Sequence, residues 1–208
     1  MAKKSGRNVP VLTIGILILF IILFLLDYLL LSPETVKLFS MSHLILGETG
    51  GGTLSRMLSM SPAEVRAGEV WRIFTYPFLH AGLLRLVLSA VAFYILGSVI
   101  EPYIGKLKLL LAFLITGAFS ALIMLRIPSF AGALGAAPAL HGLLGVFAAL
   151  LLKSGRSFSG RVGKIHWLLI FLLAASNVFW GQDLLLANMA GFSGGVLLSL
   201  ALFHKKTV

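Results

Sequence analysis

The sequence predicts an all-α integral membrane protein, a bundle of six membrane-spanning helices with a long first external loop. Hydrophobic residues make up 59% of the chain and charged ones 12%, with a mean hydropathy of +1.02. That is the composition of a protein solvated by lipid, not of a water-soluble core. The apolar residues fall into six runs, several of them near the ~20 residues a helix needs to cross the hydrocarbon. The net charge of +10 lies between these runs, which points to membrane lipids of the anionic inner leaflet as the counterpart and away from nucleic acid.

The first run, Val9–Leu31, follows Lys3, Lys4 and Arg7. A secretory signal shares that charge pattern, but this run is longer than an h-region and has no small-residue cleavage site, so it reads as a retained helix. Residues 32–69 then form a loop that is long for a small bundle, ending near Trp71, whose ring suits a membrane interface. Leu83–Ile100 and Leu107–Leu125 are the second and third runs. Ala137–Leu152 and Trp167–Trp180 are short, and are accepted because glycine-rich or polar breaks bound them. The basic, Gly/Ser-rich stretch 153–164 between them reads as a topology determinant. Leu184–Phe203 is the sixth run. No composition shift or internal repeat divides the chain, so 1–208 reads as one domain: 1–8 before the core, 9–203 the six-helix core and 204–208 a tail.

Loop charges orient the bundle. One side collects Lys3, Lys4, Arg7, Lys106, Lys108, Lys153, Arg156, Arg161, Lys164, Lys205 and Lys206, with Glu101 as its only acid. The other side mixes Lys37, Arg56, Arg66, Arg72 and Arg126 with Glu34, Glu48, Glu64, Glu69 and Asp183. The positive-inside bias places both termini in the cytoplasm, in what is expected to be a bacterial plasma membrane. The second, fourth and sixth helices then enter from outside, which brings Arg85, Ala137 and Asn188 to similar depth near their outer ends. The segment 128–135 ahead of the fourth helix is rich in Gly and Ala. Such backbone enters the bilayer only where protein or a water-filled cavity shields it, so an outward-open polar pocket on a short central helix is expected.

Small residues recur at four-residue intervals on two helices: Ala187, Gly191 and Gly195 on the sixth, and Ala137, His141 and Gly145 on the fourth, with Gly142 beside them. Helices in lipid associate by close backbone packing, so these stripes predict a contact face. The chain has no cysteine, which excludes disulfides and thiolate metal sites. Its histidines, at positions 43, 80, 141, 166 and 204, lack metal-binding spacing, and neither metal nor cofactor is expected.

Four separated stretches, in order, resemble the rhomboid intramembrane proteases. Trp71-Arg72 heads WRIFTYPFLHAG, similar to the Trp-Arg motif that ends that family's first loop. Gly97, Glu101 and Gly105 resemble the close of its second helix, and Gly135–Gly145 the opening of its fourth. Ala187 to Gly195 resembles Ala-His-x-x-Gly-x-x-x-Gly on its sixth. The resemblance implies the rhomboid fold, with a first loop lying partly in the outer leaflet, for which Met57, Leu58, Met60 and Trp71 would supply the apolar side.

It also implies a site that has lost its reactive groups. Ala137 stands where the family keeps its nucleophilic serine, and a rival register offers only Leu134. A methyl group cannot attack a peptide bond. Asn188 replaces the general-base histidine, and an amide takes up no proton near neutral pH. Arg85 and Ser89 replace the oxyanion-supporting His and Asn. Ser89, Ser120, Ser129 and Ser193 are the serines near the matched region, and His141 is the histidine within a helix near the pocket. A relocated Ser89–His141 pair would be one way to recover chemistry.

By this resemblance the expected function is that of a pseudoprotease, which binds transmembrane segments of client proteins without cutting them. Arg85, His141, Asn188 and Trp71 are the candidate contacts. Arg85 would otherwise snorkel or pair with Asp27 or Asp183, and Asn188 would otherwise bridge helices by hydrogen bonding. Two other readings compete: an active intramembrane serine protease with non-standard residues, and a lipid-binding protein using the cavity near Arg85.

Overall fold

The computed structural model describes residues 9–29, 45, 52–128, 130–154 and 182–202. Helix α1 covers Val11–Leu29. Three short helices follow, α2 (Thr53–Leu58), α3 (Pro62–Arg66) and α4 (Arg72–Thr75), and a 3-10 turn at Tyr76–Phe78. The remaining helices are long: α5 (Leu83–Ile104), α6 (Lys106–Met124), α7 (Ala137–Ser154) and α8 (Gln182–Leu202). Among the described residues the only β feature is an isolated antiparallel bridge between Met60 and Ala133.

Among the described residues, four helices are long and apolar enough to cross a membrane: α1, α5, α6 and residues Leu184–Leu202 of α8. The apolar part of α7, Ala137–Leu152, is shorter. Five of the six expected segments are thus helices, with ends shifted by a few residues. The segment expected at Trp167–Trp180 lies outside the described residues, so the count of six spans is not confirmed. The largest shift is at the end of α5, which runs four residues past the expected Ile100 and through Pro102 to Ile104. Gly105, with φ of +85°, then reverses the chain into α6 at once.

The helix burial pattern gives the layers. From Pro138 to Phe147 every residue of α7 is buried, whereas α1, α5 and α8 each present apolar side chains such as Ile18, Val87 and Leu197 outward. A helix enclosed on all sides needs no hydrophilic face, which is how a run too short to look like a span becomes the centre of the bundle. One core cluster gathers Phe20, Phe93, Leu96, Phe113, Leu140 and Leu143 from α1, α5, α6 and α7. Its aromatic rings meet edge to face, with Phe93 and Phe113 centroids 5.2 Å apart and Phe78 and Phe113 5.6 Å apart. A second cluster joins the loop helices to α6 and α8 through Met60, Ile73, Tyr76, Met124 and Ala187.

Glycines make the tightest crossing. A Cβ on Gly191 of α8 would collide with the Pro138 carbonyl of α7, one on Gly195 with the Gly142 carbonyl, and one on Gly145 with the Phe192 carbonyl. On its other side α7 meets α6, where Gly142 accommodates the Thr116 side chain. The pairs 138/191 and 142/195 advance together, so α7 and α8 run parallel. Gly191, Gly195 and Gly145 of the small-residue stripes thus meet the facing helix backbone against backbone.

Candidate functional site

The parallel register of α7 and α8 and the antiparallel hairpin of α5 and α6 bring the N-terminal ends of α5, α7 and α8 to one end of the bundle. The loop helices cover that same end. Three hydrogen bonds fix the approach to α7. Met60 and Ala133 exchange backbone bonds of 3.0 and 2.8 Å, and the Gly135 N–H donates to the Tyr76 carbonyl at 3.1 Å. Gly135 takes φ of +125°, a conformation L side chains rarely adopt, immediately before the helix begins. The Tyr76 hydroxyl in turn donates to the Gly117 carbonyl of α6 at 3.0 Å.

The loop helices owe their order to one guanidinium. Arg72, 6% exposed, forms an ion pair with Glu69 at 2.6 Å and donates to the carbonyls of Arg56 at 2.7 Å and Ser59 at 3.0 Å. The Thr75 hydroxyl takes the Leu58 carbonyl at 2.8 Å. The final carbonyls of α2, which no intrahelical donor reaches, are thus satisfied from α4. Trp71, next in sequence, is half-exposed. The apolar side expected from Met57, Leu58, Met60 and Trp71 needs one correction. Met57 and Trp71 are exposed, but Met60 is 1% exposed and points into the second core cluster, because its backbone is tied to Ala133.

At the α7–α8 crossing, Ala137 is half-buried at the first position of α7 and Asn188 is 1% exposed. The register places both at the same end, Asn188 one turn before Gly191, which packs on Pro138. His141 is buried, and its Nδ1–H donates to the Ala137 carbonyl at 2.8 Å, one turn back in the same helix. Ser89 is buried on α5, and no hydrogen bond joins it to His141. Ser120 donates to the Ala187 carbonyl at 2.6 Å, and Ser193 to the carbonyls of Met189 and Ala190. Each of these hydroxyls satisfies a backbone acceptor. Ser129 lies outside the described residues. Arg85 sits in the first turn of α5, half-buried. The carboxylate of Asp27, one of the two partners considered for it, accepts the N–H and hydroxyl of Ser55. The side chain of the other, Asp183, lies outside the described residues.

Three further polar groups were not singled out as site residues. Two are carboxylates that cap helices to which they do not belong. Gly52 at the N-cap of α2 has no side chain to offer, and Asp27 of α1 takes its place by accepting the Ser55 N–H at 2.9 Å. Glu101 of α5, 5% exposed, does the same for α1 by accepting the N–H groups of Leu12 at 3.1 Å and Thr13 at 2.9 Å, with the Thr13 hydroxyl at 2.7 Å. An acid inside an apolar run carries its own signal, because such a group must find a partner.

The third is His80, 3% exposed. Neither ring nitrogen has a hydrogen-bond partner, and the Phe20 ring stands edge-on 4.7 Å away. Burial holds its pKa down at about 4; the neighbouring Phe78 backbone opposes that shift and the Arg85 charge adds to it.

Comparison with known proteins agrees with this architecture. The family model of the Rhomboid domain matches residues 67–205. Inactive RHOMBOID-like protein 8 of Arabidopsis thaliana is 28% identical over 147 residues, covering 68% of this chain and 40% of that protein. RHOMBOID-like protein 1 of the same plant is 29% identical over 150 residues, covering 70% of this chain and 38% of its own length. Putative rhomboid protease YdcA of Bacillus subtilis (strain 168) is 29% identical over 147 residues, covering 68% of this chain and 72% of its own. The chain therefore spans well under half of the two plant relatives. With the matched region running from α4 through α8, and with membrane-spanning helices around a buried central one, this integral membrane protein belongs to the rhomboid family.

Proposed function

We propose that this protein is a rhomboid-family pseudoprotease that holds transmembrane segments of client proteins without cleaving them. It would sit in a bacterial plasma membrane with both termini in the cytoplasm. One observation carries the reading: the two helices that carry the family's reactive positions keep their backbone-to-backbone crossing, while Ala137 and Asn188 offer neither nucleophile nor base. The small residues of a rhomboid core are retained where they set helix approach, and the reactive groups are replaced. The printed name of the inactive plant relative is in keeping with this reading. The name of the Bacillus relative favours the alternative of a working protease, so the test must separate the two.

A photoreactive residue at position 137, introduced in the full chain in native membranes, is expected to trap membrane proteins at their transmembrane segments. The purified protein is expected to remain unlabelled by a fluorophosphonate probe. Labelling at any serine would overturn the pseudoprotease reading, and absence of any trapped protein would overturn client binding.

A further inference from the structure

A serine or threonine inside a helix commonly returns its hydroxyl to a carbonyl of its own preceding turn. Among the described residues, Ser98 donates in this way to Ile95 on α5 at 3.0 Å, and Ser193 to Met189 on α8 at 3.0 Å. Thr116 of α6 donates to Ala112 at 2.7 Å, with a longer contact of 3.4 Å to the Ala139 carbonyl of α7. Ser120, one turn further along α6, departs from that pattern. It is 1% exposed, and its hydroxyl crosses to α8 and donates to the Ala187 carbonyl at 2.6 Å. Within a helix that carbonyl also faces the N–H four residues on, which belongs to Gly191. The hydroxyl is thus a second donor to an acceptor that α8 satisfies by itself. Such a bond does little to rescue a stranded carbonyl; what it adds is a lateral tie between two helices.

The tie falls where the glycine contacts do not reach. Gly191 and Gly195 bring α8 against Pro138 and Gly142 of α7, and Gly194 admits the Phe119 ring of α6. All three lie past Asn188, toward the other end of α8. Ser120 holds the carbonyl immediately before Asn188, and Asn188 is itself 1% exposed. We propose that Ser120 is a positioning residue: its bond to the Ala187 carbonyl fixes the turn of α8 that carries Asn188, and so holds Asn188 beside the start of α7 for the client segment. The client is that of the pseudoprotease reading, on which this role rests; the tie between α6 and α8 does not depend on it.

Two readouts on the full chain test this. Amide hydrogen exchange over residues 186–191, followed by mass spectrometry in detergent, needs no client. It should quicken about three- to fivefold in Ser120→Ala, the weight of one interhelical hydrogen bond in a membrane protein. Trapping of membrane proteins from a photoreactive residue at position 137 should fall by a similar factor. Ser120→Cys keeps the volume and a weak donor, so it should lie between the two, and it gives a second reading should Ser120→Ala fail to fold. Thr13→Val is the control for stability. It removes another buried interhelical hydroxyl bond, to Glu101 at the opposite end of the bundle, and should leave both readouts as in the unaltered chain. Unchanged exchange at 186–191 in Ser120→Ala would overturn the proposal. Equal effects of Thr13→Val and Ser120→Ala would overturn it too, since lost stability would then explain both. If the unaltered chain traps no protein, the client reading fails, and exchange alone decides whether Ser120 fixes this turn.

Discussion

Glu101→Ala is expected to release the start of α1 from the bundle, and the size of the effect follows from the donors it abandons. The carboxylate accepts from Leu12 N–H at 3.1 Å, Thr13 N–H at 2.9 Å and Thr13 Oγ1 at 2.7 Å. Leu12 is only partly buried and can be rehydrated. Thr13 is 0% exposed, so two donors are left unsatisfied in the interior, each costing about 1–3 kcal/mol. A loss of about 3 kcal/mol is therefore expected, at the large end for a single substitution. Glu101→Gln keeps one acceptor oxygen and should cost about half as much. Thr13→Val removes only the hydroxyl, for about 1 kcal/mol, and the double variant Thr13→Val with Glu101→Ala should fall short of the summed losses by a similar ~1 kcal/mol. The measurement is denaturant unfolding in detergent micelles, with proteolytic cleavage at the N-terminal end of α1 as a local readout. If Glu101→Ala unfolds within about 0.5 kcal/mol of the unaltered protein, the bonds contribute nothing net and the reasoning fails.

Three other expectations are open to direct measurement. Gly195→Leu places a side chain against the Gly142 carbonyl. It should cost at least 1–3 kcal/mol by overpacking, whereas Gly15→Leu, whose Cβ meets nothing within 4 Å, should be near neutral in a thermal unfolding series. Arg72→Gln breaks the Glu69 ion pair and the bonds to the Arg56 and Ser59 carbonyls, and should raise protease cleavage between residues 52 and 75 before the long helices melt. His80 is held at about 4 against an ordinary 6.5, so the unfolded chain binds the extra proton. Stability from this group is complete above pH 6.5 and declines as pH falls toward 4, by about 2 kcal/mol at pH 5. Thermal melts from pH 7 to 5 should show that decline, and His80→Phe should flatten it; parallel curves for the two proteins would contradict the account.

The fold was legible because lipid imposes so few solutions. Apolar run length marked five described helices, and the glycines four residues apart on α8 pointed to its contact with α7. Ends were less legible. Nothing in the local pattern says that α5 passes through Pro102, since its tertiary neighbours and the Gly105 reversal decide where it stops. The polar wiring was the least visible part. Arg72 resembles any loop cation in sequence, yet it closes the final carbonyls of α2, which only a spatial neighbour reveals. Asp27 was considered, with Asp183, only as a possible partner of Arg85; that it caps α2, where a glycine N-cap leaves a donor without a side-chain acceptor, is a tertiary contact the sequence does not display. His80 was noted only as lacking metal spacing, and the burial of its ring without a well-formed hydrogen bond is a property that a sequence does not display.

The bond between Glu101 and Thr13 also sets an order of events during synthesis. The two residues are 88 positions apart, so α1 is made, and can enter the membrane, well before the carboxylate that closes its first turn exists. Until α5 is complete, the N–H groups of Leu12 and Thr13 must be satisfied by water or lipid headgroups, which keeps that end of α1 near the membrane surface. The arrival of Glu101 exchanges those temporary partners for a buried one. A nascent chain arrested before residue 101 should therefore hold α1 loosely, and one arrested after α6 has emerged should hold it fast. The carboxylate at the end of α5 thus acts as a late fastening for the first helix made.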